Sequence, residues 1–333
     1  MSDLYKADEN RYDGRMPIRR AGNSGLQLPA ISFGMWHNFG DDANFKASEE
    51  VMLKAFDSGI FSFDLAYNYG PESGAAERMF GEVYKKDLKP YRDELVITTK
   101  AGFHMWPGPY GEMSSRKTLI TALDNSLERM GLDYVDIYYS HRPDPNTSSE
   151  ETAAALDQVV RDGKALYVGI SNYSREQTQE MVKWFKEFHT PFVVNQVSYN
   201  MLNRNVEEDG LLDELDADNV GLVSYGPLAE GLLTDKYLNG ISDDFKIHWS
   251  STQVLADGNA KIVGKLNELN ELAKNRNQTL AQMSIAWLLK RKTVASIVTG
   301  ASKPKHLLSN LEAMKNLEFT NDELVEIERI LKA

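Results

Sequence analysis

Cysteine is absent from this sequence of 333 residues. Its absence excludes disulfide bonds, thiolate catalysis and cysteine-ligated zinc. It is compatible with a reducing compartment, so we expect a cytoplasmic protein. Long apolar runs are missing too, because no stretch reaches the roughly 18 to 20 residues that a membrane helix requires. Residues 1–16 are polar and lack the apolar core of a secretory signal, so we expect them to form a surface arm.

Positive charge is in deficit. The chain has 37 Lys and Arg against 49 Asp and Glu, which gives a net charge of −12. This balance argues against general binding to nucleic acids or anionic membranes, and an anionic ligand would need a local basic pocket. We predict no metal site, and the composition leaves a homo-oligomer open.

The sequence also lacks the glycine motifs of the common nucleotide-binding sheets. Neither G-x-G-x-x-G nor the P-loop pattern is present, which argues against a doubly wound sheet. Instead, short apolar runs alternate with helical patterns, and this alternation predicts parallel strands with crossover helices. We count eight runs, at 31–33, 60–63, 95–98, 135–139, 165–170, 192–195, 220–224 and 294–298.

Eight repeats in a chain of 333 residues predict an α/β fold, a single (β/α)8 TIM barrel over residues 17–333. Segments 18–20 and 26–28 flank a Gly-Asn-Ser-Gly turn and predict a β-hairpin before the first barrel strand. Residues 240–258 are long, polar and aperiodic, as in a lid or binding loop. Residues 322–331 predict an extra C-terminal helix.

Polar and ionisable side chains follow most of the predicted strands. In a barrel, the groups that carry out chemistry lie just beyond the carboxyl ends of the strands. The residues found there are Trp36, Asp64, Tyr69, Lys100, His141, Arg142, Ser171, Asn172, Gln196, Tyr225, Gly226, Ser302 and Lys303.

Several of these residues also have an ordinary structural interpretation. Lys100 ends a buried run, where a lysine is costly unless it is paired or faces a pocket. An ion pair with Asp64 would satisfy both charges, in a functional site or as a structural pair, and Asp64 could instead cap a helix. His141 is as often structural as functional at such a position. Tyr69 has a rival in Tyr67, two residues earlier.

The combination of an aspartate, a lysine, a tyrosine and a histidine at neighbouring strand ends indicates carbonyl reduction. A lysine held by an aspartate beside a tyrosine would lower the phenol pKa from its usual value of about 10. A neighbouring histidine would hydrogen-bond the carbonyl group and polarise it. No side chain supplies a hydride, so this chemistry implies a nicotinamide cofactor.

Seven motifs resemble those of the aldo-keto reductase family, along essentially the whole chain. They are FDLAYNYG (63–70), ITTKAG (97–102), DIYYSHRPD (136–144), VGISNYS (168–174), NQVSYN (195–200), SYGPLAEGLLTDKY (224–237) and GASKPKHLLSN (300–310). HMWPGPYG (104–111) and GMWHNFG (34–40) are similar to the bacterial branch that reduces L-glyceraldehyde 3-phosphate and methylglyoxal. That branch also resembles the potassium-channel β subunits.

The resemblance implies a catalytic tetrad of Asp64, Tyr69, Lys100 and His141. Tyr69 is the implied general acid, since the family's tyrosine lies five residues after the aspartate and precedes a glycine. His141 is implied to orient the substrate carbonyl. Trp36 and Trp106 are expected to wall the substrate pocket, with ordinary packing as the alternative.

The resemblance also implies NADPH as cofactor. Ser171, Asn172 and Gln196 are implied to hold the carboxamide, and Tyr225 to stack on the nicotinamide. Trp36 and Asp64 are implied to lie near the nicotinamide, and Lys246 is a further implied contact. The implied contacts along the pyrophosphate are Gly226, Leu228, Gly231 and Lys236. The segment implied to hold the 2′-phosphate consists of Gly300, Ser302, Lys303, His306 and Asn310.

Some positions depart from the family pattern. Leu65 and Gly226 replace a common Thr and a common Ser, and Lys246 stands where relatives tend to carry Arg. His306 and Ser309 replace a usual Gln and Glu, which weakens the contacts expected at the adenine end of the cofactor.

The leading hypothesis is an NADPH-dependent reductase of small aldehydes, such as glyceraldehyde 3-phosphate or methylglyoxal. Arg142 would help to bind a substrate phosphate. Alternatively, the HRPD segment (141–144) that contains it is only a structural turn. The first alternative is an NADPH-binding, redox-sensing regulatory subunit of a membrane protein. The second is a lyase or isomerase in which Lys100 forms a Schiff base.

Overall fold

The architecture is an eight-stranded parallel barrel. The computed structural model describes residues 5–242, 245, 255 and 258–333. The barrel strands are β3 (Ile31–Gly34), β4 (Ser62–Asp64), β5 (Val96–Ala101), β6 (Val135–Ser140), β7 (Ala165–Ser171), β8 (Phe192–Ser198), β9 (Gly221–Tyr225) and β10 (Val294–Thr299). They close in the order β10-β3-β4-β5-β6-β7-β8-β9, with every neighbouring pair parallel.

All eight predicted strands are confirmed, and each ends one to three residues further along the chain than the apolar run that predicted it. The extra residues carry the polar side chains expected at the barrel mouth. The register pairs Asp64, the last residue of β4, with Thr98 of β5, and it pairs Ala101 with Ser140, so β5 and β6 end together.

Helices return the chain between the strands. They are α1 (Phe45–Asp57), α2 (Ala75–Val83), α3 (Arg116–Met130), α4 (Ser149–Arg161), α5 (Arg175–Phe188), α6 (Asn205–Glu208), α7 (Leu211–Ala217), α8 (Asn259–Asn275), α9 (Leu280–Leu288), α10 (Pro304–Leu311) and α11 (Asn321–Lys332). A π-helix (Tyr84–Leu88) and a 3-10 helix (Lys89–Glu94) follow α2. The predicted extra C-terminal helix is confirmed, and a capping box formed by Ser174 and Gln177 begins α5. No helix within the described ranges is long and apolar enough to cross a membrane.

The predicted hairpin closes the amino-terminal end of the barrel. Its strands are β1 (Ile18–Arg20) and β2 (Gln27–Pro29), paired antiparallel. The turn reaches the start of β9, where the Asn23 amide donates to the Asn219 carbonyl at 2.9 Å. Gly22 is required there, because a Cβ would lie 1.9 Å from the Asn219 oxygen and φ is +57°.

The described part of the N-terminal arm packs against the same end of the molecule. The Tyr5 hydroxyl donates to Asp57 at 2.6 Å, and the Arg11 guanidinium forms a bidentate pair with Glu94. Arg11 also lies over the ring of Phe56, at 5.2 Å from its centroid. These contacts fix the arm between the end of α1 and the segment that enters β5.

Alternate residues of β5 point to opposite sides of the sheet. Thr98 and Lys100 face the barrel interior, where both contact Asp64. Thr99 faces the helices and donates to Glu77 of α2 at 2.6 Å. On the neighbouring strand β7, Gly169 lies directly beside Tyr139 of β6 and leaves room for its ring, because a Cβ there would lie 2.5 Å from it.

Candidate active site

A buried ion pair forms the base of the site. The Lys100 ammonium donates to Asp64 Oδ2 at 2.6 Å and to the Leu65 carbonyl at 2.7 Å. The side chains are 0% and 4% exposed. Thr98 and Gln196 both donate to the other carboxylate oxygen, at 2.9 and 2.8 Å. Burial lowers the pKa of Lys100, while the Asp64 charge opposes that shift.

Tyr69 is the phenol that meets this pair. Lys100 Nζ lies 3.4 Å from the Tyr69 hydroxyl. Tyr67 points elsewhere: its hydroxyl accepts from Asn125 at 3.4 Å and its ring lies under the Arg129 guanidinium at 3.8 Å. The geometry therefore separates two tyrosines that the strand-end pattern alone did not.

The expected lowering of the Tyr69 pKa is wrong for the chain by itself. Burial raises the pKa of the Tyr69 phenol well above 10, and the Asp64 carboxylate adds to that rise. The reason is that Lys100 is already paired with Asp64, so the two together present little net charge to the phenol. Tyr69 is held in its protonated form.

His141 lies beside Tyr69 at the end of β6. The two ring centroids are 5.9 Å apart, edge to face, and Phe103 meets the imidazole edge-on at 4.7 Å. Burial, followed by the charges of Lys100 and Arg142, lowers the His141 pKa well below 6.5, so the ring is neutral. Its buried Nδ1 has no hydrogen-bond partner within the described residues.

The residues implied in carboxamide binding form a connected polar network next to His141. The Ser171 hydroxyl donates to the Gln196 carbonyl at 2.8 Å, and the Asn172 amide donates to the His141 carbonyl at 3.0 Å. Asn172 holds a left-handed φ of +64°. The Tyr225 hydroxyl donates to Asn172 Oδ1 at 2.8 Å, and burial raises the Tyr225 pKa to about 12.

Trp36 links this centre to a cavity of about 580 Å³. Its ring lies 6.4 Å from that of Tyr69, and it lines the cavity together with Ser302 and the start of α1. Trp106 packs instead on Tyr67, at 5.4 Å between ring centroids. Both tryptophans are half-buried, and Trp36 is the nearer to the proposed reacting group.

The implied pyrophosphate and phosphate segments follow β9 and β10. Gly226, Leu228 and Gly231 are half-buried, and the Lys236 ammonium lies 4.8 Å from the Tyr237 ring centroid. Lys303 caps α10, whose first turn begins with Pro304. Gly300, Ser302 and His306 are exposed and Asn310 is half-buried along this segment. Lys246, and most of the predicted 240–258 loop, lie outside the described residues.

Arg142 is tied to neighbouring groups. Its guanidinium donates to the Gly102 carbonyl at 2.9 Å and to Glu112 at 3.0 Å, and it lies 4.4 Å from the Phe103 ring centroid. The HRPD segment thus has the structural contacts that its alternative interpretation required. A phosphate bound by Arg142 would have to replace Glu112.

Three contributors to the site were not predicted from the sequence: Thr98, Tyr139 and Phe103. Thr98 could have been found, because it lies two residues before Lys100 and must share its face of the strand. Tyr139 faces Gln196 and has its ring 5.5 Å from Lys100 Nζ. Phe103 lies two residues after the end of β5, in a segment without a periodic pattern that would have predicted its position.

Comparisons with known proteins show what the whole chain is similar to. The model of the aldo/keto reductase family matches residues 30–332. The chain is 50% identical to the L-glyceraldehyde 3-phosphate reductases of Escherichia coli O157:H7 and of E. coli strain K12, over 98% of this chain and 95% of each relative. The crystal structure of a thermostable aldo-keto reductase in complex with the inhibitor epalrestat is 28% identical, with a TM-score of 0.75 over 95% of this chain and 100% of that chain.

The family match covers the barrel from its first strand to its last helix, and the structural likeness covers 95% of the chain. The buried Asp64–Lys100 pair, Tyr69 and His141 lie together at the carboxyl ends of the strands, where enzymes of this architecture carry out their chemistry. The chain belongs to the aldo/keto reductase family and is an oxidoreductase.

Proposed function

We propose that the protein reduces small aldehydes, including glyceraldehyde 3-phosphate and methylglyoxal, with NADPH as the hydride donor and Tyr69 as the proton donor. One observation supports this most strongly. A protonated phenol lies 3.4 Å from an ammonium that is itself buried and paired with Asp64. Beside it, a buried neutral imidazole has a nitrogen without a partner in the described structure.

The residues present fit a nicotinamide cofactor. The Ser171, Asn172, Gln196 and Tyr225 side chains converge on one side of the tetrad, as a carboxamide and a flat ring require. Beyond Trp36, the cavity reaches Ser302, just before α10, where the start of the helix and the Lys303 side chain suit a phosphate. When bound, the nicotinamide would supply the hydride.

Proton transfer is the task of Tyr69. As the carbonyl carbon gains the hydride, its oxygen gains an electron pair and takes the proton from the Tyr69 hydroxyl. A raised pKa suits this role at neutral pH because the phenol stays protonated, and an alkoxide is more basic still. The phenolate left behind would lie beside the Lys100 ammonium, which stabilises it.

His141 would position the carbonyl group. Its lowered pKa keeps it neutral, so it can donate one hydrogen bond to the substrate without carrying a charge. Lys100, by contrast, is poorly placed for a Schiff base, because its ammonium is already bound to Asp64 and to the Leu65 carbonyl. This argues against the lyase or isomerase alternative.

The substrate proposal rests on the relatives and on the side chains around Tyr69 and His141. The two bacterial relatives are named for L-glyceraldehyde 3-phosphate reduction. Half-buried aromatic rings surround the reacting position, with Trp36 on one side and Phe103 on the other. Arg142, adjacent to His141, is the cation nearest in sequence for a substrate phosphate, provided that Glu112 releases it.

The test compares two tyrosines. Tyr69→Phe removes the hydroxyl next to Lys100, so we expect kcat/KM for NADPH-dependent methylglyoxal reduction to fall by about 10³-fold. Tyr67→Phe is the matched control: it deletes the same atom two residues away, from a contact with Asn125, and activity should stay within about threefold. Oxidation of NADPH is followed at 340 nm with methylglyoxal and with glyceraldehyde 3-phosphate.

Near-full activity of the Tyr69→Phe variant would refute the proton-donor role. Loss of activity in both variants to the same degree would indicate a packing effect instead. Circular dichroism melting curves for both proteins exclude unfolding as the cause.

A further inference from the structure

The cavity beside Trp36 lies between the starts of two neighbouring helices. α1 follows β3 and α10 follows β10, these strands are adjacent, and the two helices pack against each other. Neither helix has an acidic residue in its first turn, although a helix start favours negative charge. Both helix dipoles therefore direct partial positive charge towards whatever occupies the cavity.

Two consecutive aspartates precede α1 and have different surroundings. Asp41 pairs with Arg78 and lines a separate cavity of about 210 Å³. Asp42 lines the larger cavity of about 580 Å³, which it shares with Ser302 and Trp36. Its side chain is exposed, so the carboxylate is free to meet a ligand.

We infer that Asp42 is a specificity-determining residue for the adenosine ribose of the cofactor, and that it weakens discrimination in favour of the 2′-phosphate. The inference rests on the proposed function, in which the segment from Gly300 to Asn310 holds the adenosine end. The observation that carries it is the position of a carboxylate in the cavity that Ser302 also lines.

A carboxylate has opposite effects on the two forms of the ribose. It repels a phosphate dianion, whereas it accepts hydrogen bonds from ribose hydroxyls, which is how acidic residues select NAD in other nucleotide sites. Lys303 and Lys305 at the start of α10 attract the 2′-phosphate, and they are the basic side chains of this segment. The preference for NADPH over NADH is therefore set by these two lysines acting against Asp42.

The experiment measures binding rather than turnover. Dissociation constants of NADPH and NADH are determined by isothermal titration calorimetry for the wild type, Asp42→Asn and Asp41→Asn. We expect Asp42→Asn to tighten NADPH binding by on the order of tenfold at low salt. NADH binding should stay equal or weaken by up to about threefold, because one acceptor for the ribose hydroxyls is lost.

Asp41→Asn is the matched control, since it makes the same change in net charge at the adjacent position but faces Arg78 and the other cavity. Its NADPH-to-NADH selectivity should remain at the wild-type value. The shift in Asp42→Asn should shrink as NaCl is raised from 50 to 500 mM, because salt screens an exposed charge.

Two results would overturn the inference: an unchanged selectivity in Asp42→Asn, or an equal shift in Asp41→Asn. Failure of the proposed function looks different, because a wild-type protein that bound neither nucleotide would refute cofactor use itself. Both substitutions are at exposed positions, and melting curves confirm that the proteins compared are folded.

Discussion

Two buried ion pairs lie on opposite faces of β5. Inside the barrel, Lys100 pairs with Asp64; outside it, Arg129 of α3 pairs with Glu77 of α2, beneath Thr99. Both carboxylates are buried, with Asp64 4% and Glu77 0% exposed at the side chain. Burial and pairing alone therefore do not distinguish a reactive centre from a structural contact.

The difference is in what surrounds each pair. The outer pair is saturated: Glu77 accepts two bonds from the Arg129 guanidinium and one from Thr99. The inner pair has a reactive neighbour, because the Lys100 ammonium also reaches the Tyr69 hydroxyl at the barrel mouth. A lysine, with its point charge and readily shifted pKa, occupies the inner position, and an arginine with a planar fork occupies the outer one.

The largest expected effect is on catalysis. Lys100→Met should lower kcat/KM by about 10³-fold, because the phenolate formed at Tyr69 loses its neighbouring cation. The measurement is steady-state NADPH oxidation with methylglyoxal. The double variant Asp64→Leu with Lys100→Met removes the unpaired carboxylate and should recover folding stability without recovering activity. Recovery of both would make the inner pair structural.

The second effect is on stability. Arg129→Met leaves Glu77 buried without its cation, so the free energy of unfolding should fall by about 3 kcal/mol, as measured by urea denaturation. Activity at a temperature where the variant is folded should stay within about threefold of wild type. A large loss of activity there would contradict the separation of the two faces, because the outer pair would then be contributing to the chemistry.

The smallest effect is the dependence of stability on pH. His141 has a pKa lowered below 6.5 in the folded chain, so its contribution to stability is complete above about pH 6.5 and is lost as the pH falls from there towards the folded value. His141→Asn should remove up to about 1.4 kcal/mol per pH unit from the slope of unfolding free energy between pH 5 and 6.5. Tyr67→Phe, which leaves no unpaired buried charge, should keep the wild-type slope; equal slopes in wild type and His141→Asn would contradict the buried neutral histidine.

Much of this arrangement could be predicted from the sequence because it depends on local periodicity. Apolar runs alternating with helical patterns predict the barrel, and a lysine that ends such a run, Lys100, predicts a partner or a pocket. The carboxyl ends of parallel strands meet at one face, so the predicted topology alone places Asp64, Lys100 and His141 near one another.

Other features depend on side-chain direction in three dimensions and have no periodic signal. Tyr67 and Tyr69 are two residues apart in a turn, and only the fold shows that one meets Arg129 and the other Lys100. The raised pKa of Tyr69 depends first on burial of the phenol and then on the nearby Asp64 carboxylate, neither of which composition shows. Asp41 and Asp42 are equivalent in the sequence but face different cavities.

The hairpin covers the amino-terminal end of the barrel and buried side chains fill the interior, so Tyr69 is reached from the carboxyl end. The turn at Gly22 and the contacts of Arg11 occupy the end opposite Tyr69. A proton that replaces the one donated by Tyr69 must therefore travel through the same mouth that admits the aldehyde. Substrate entry, alcohol release and reprotonation would then use one route, so the rate of passage through that mouth would set an upper limit on kcat.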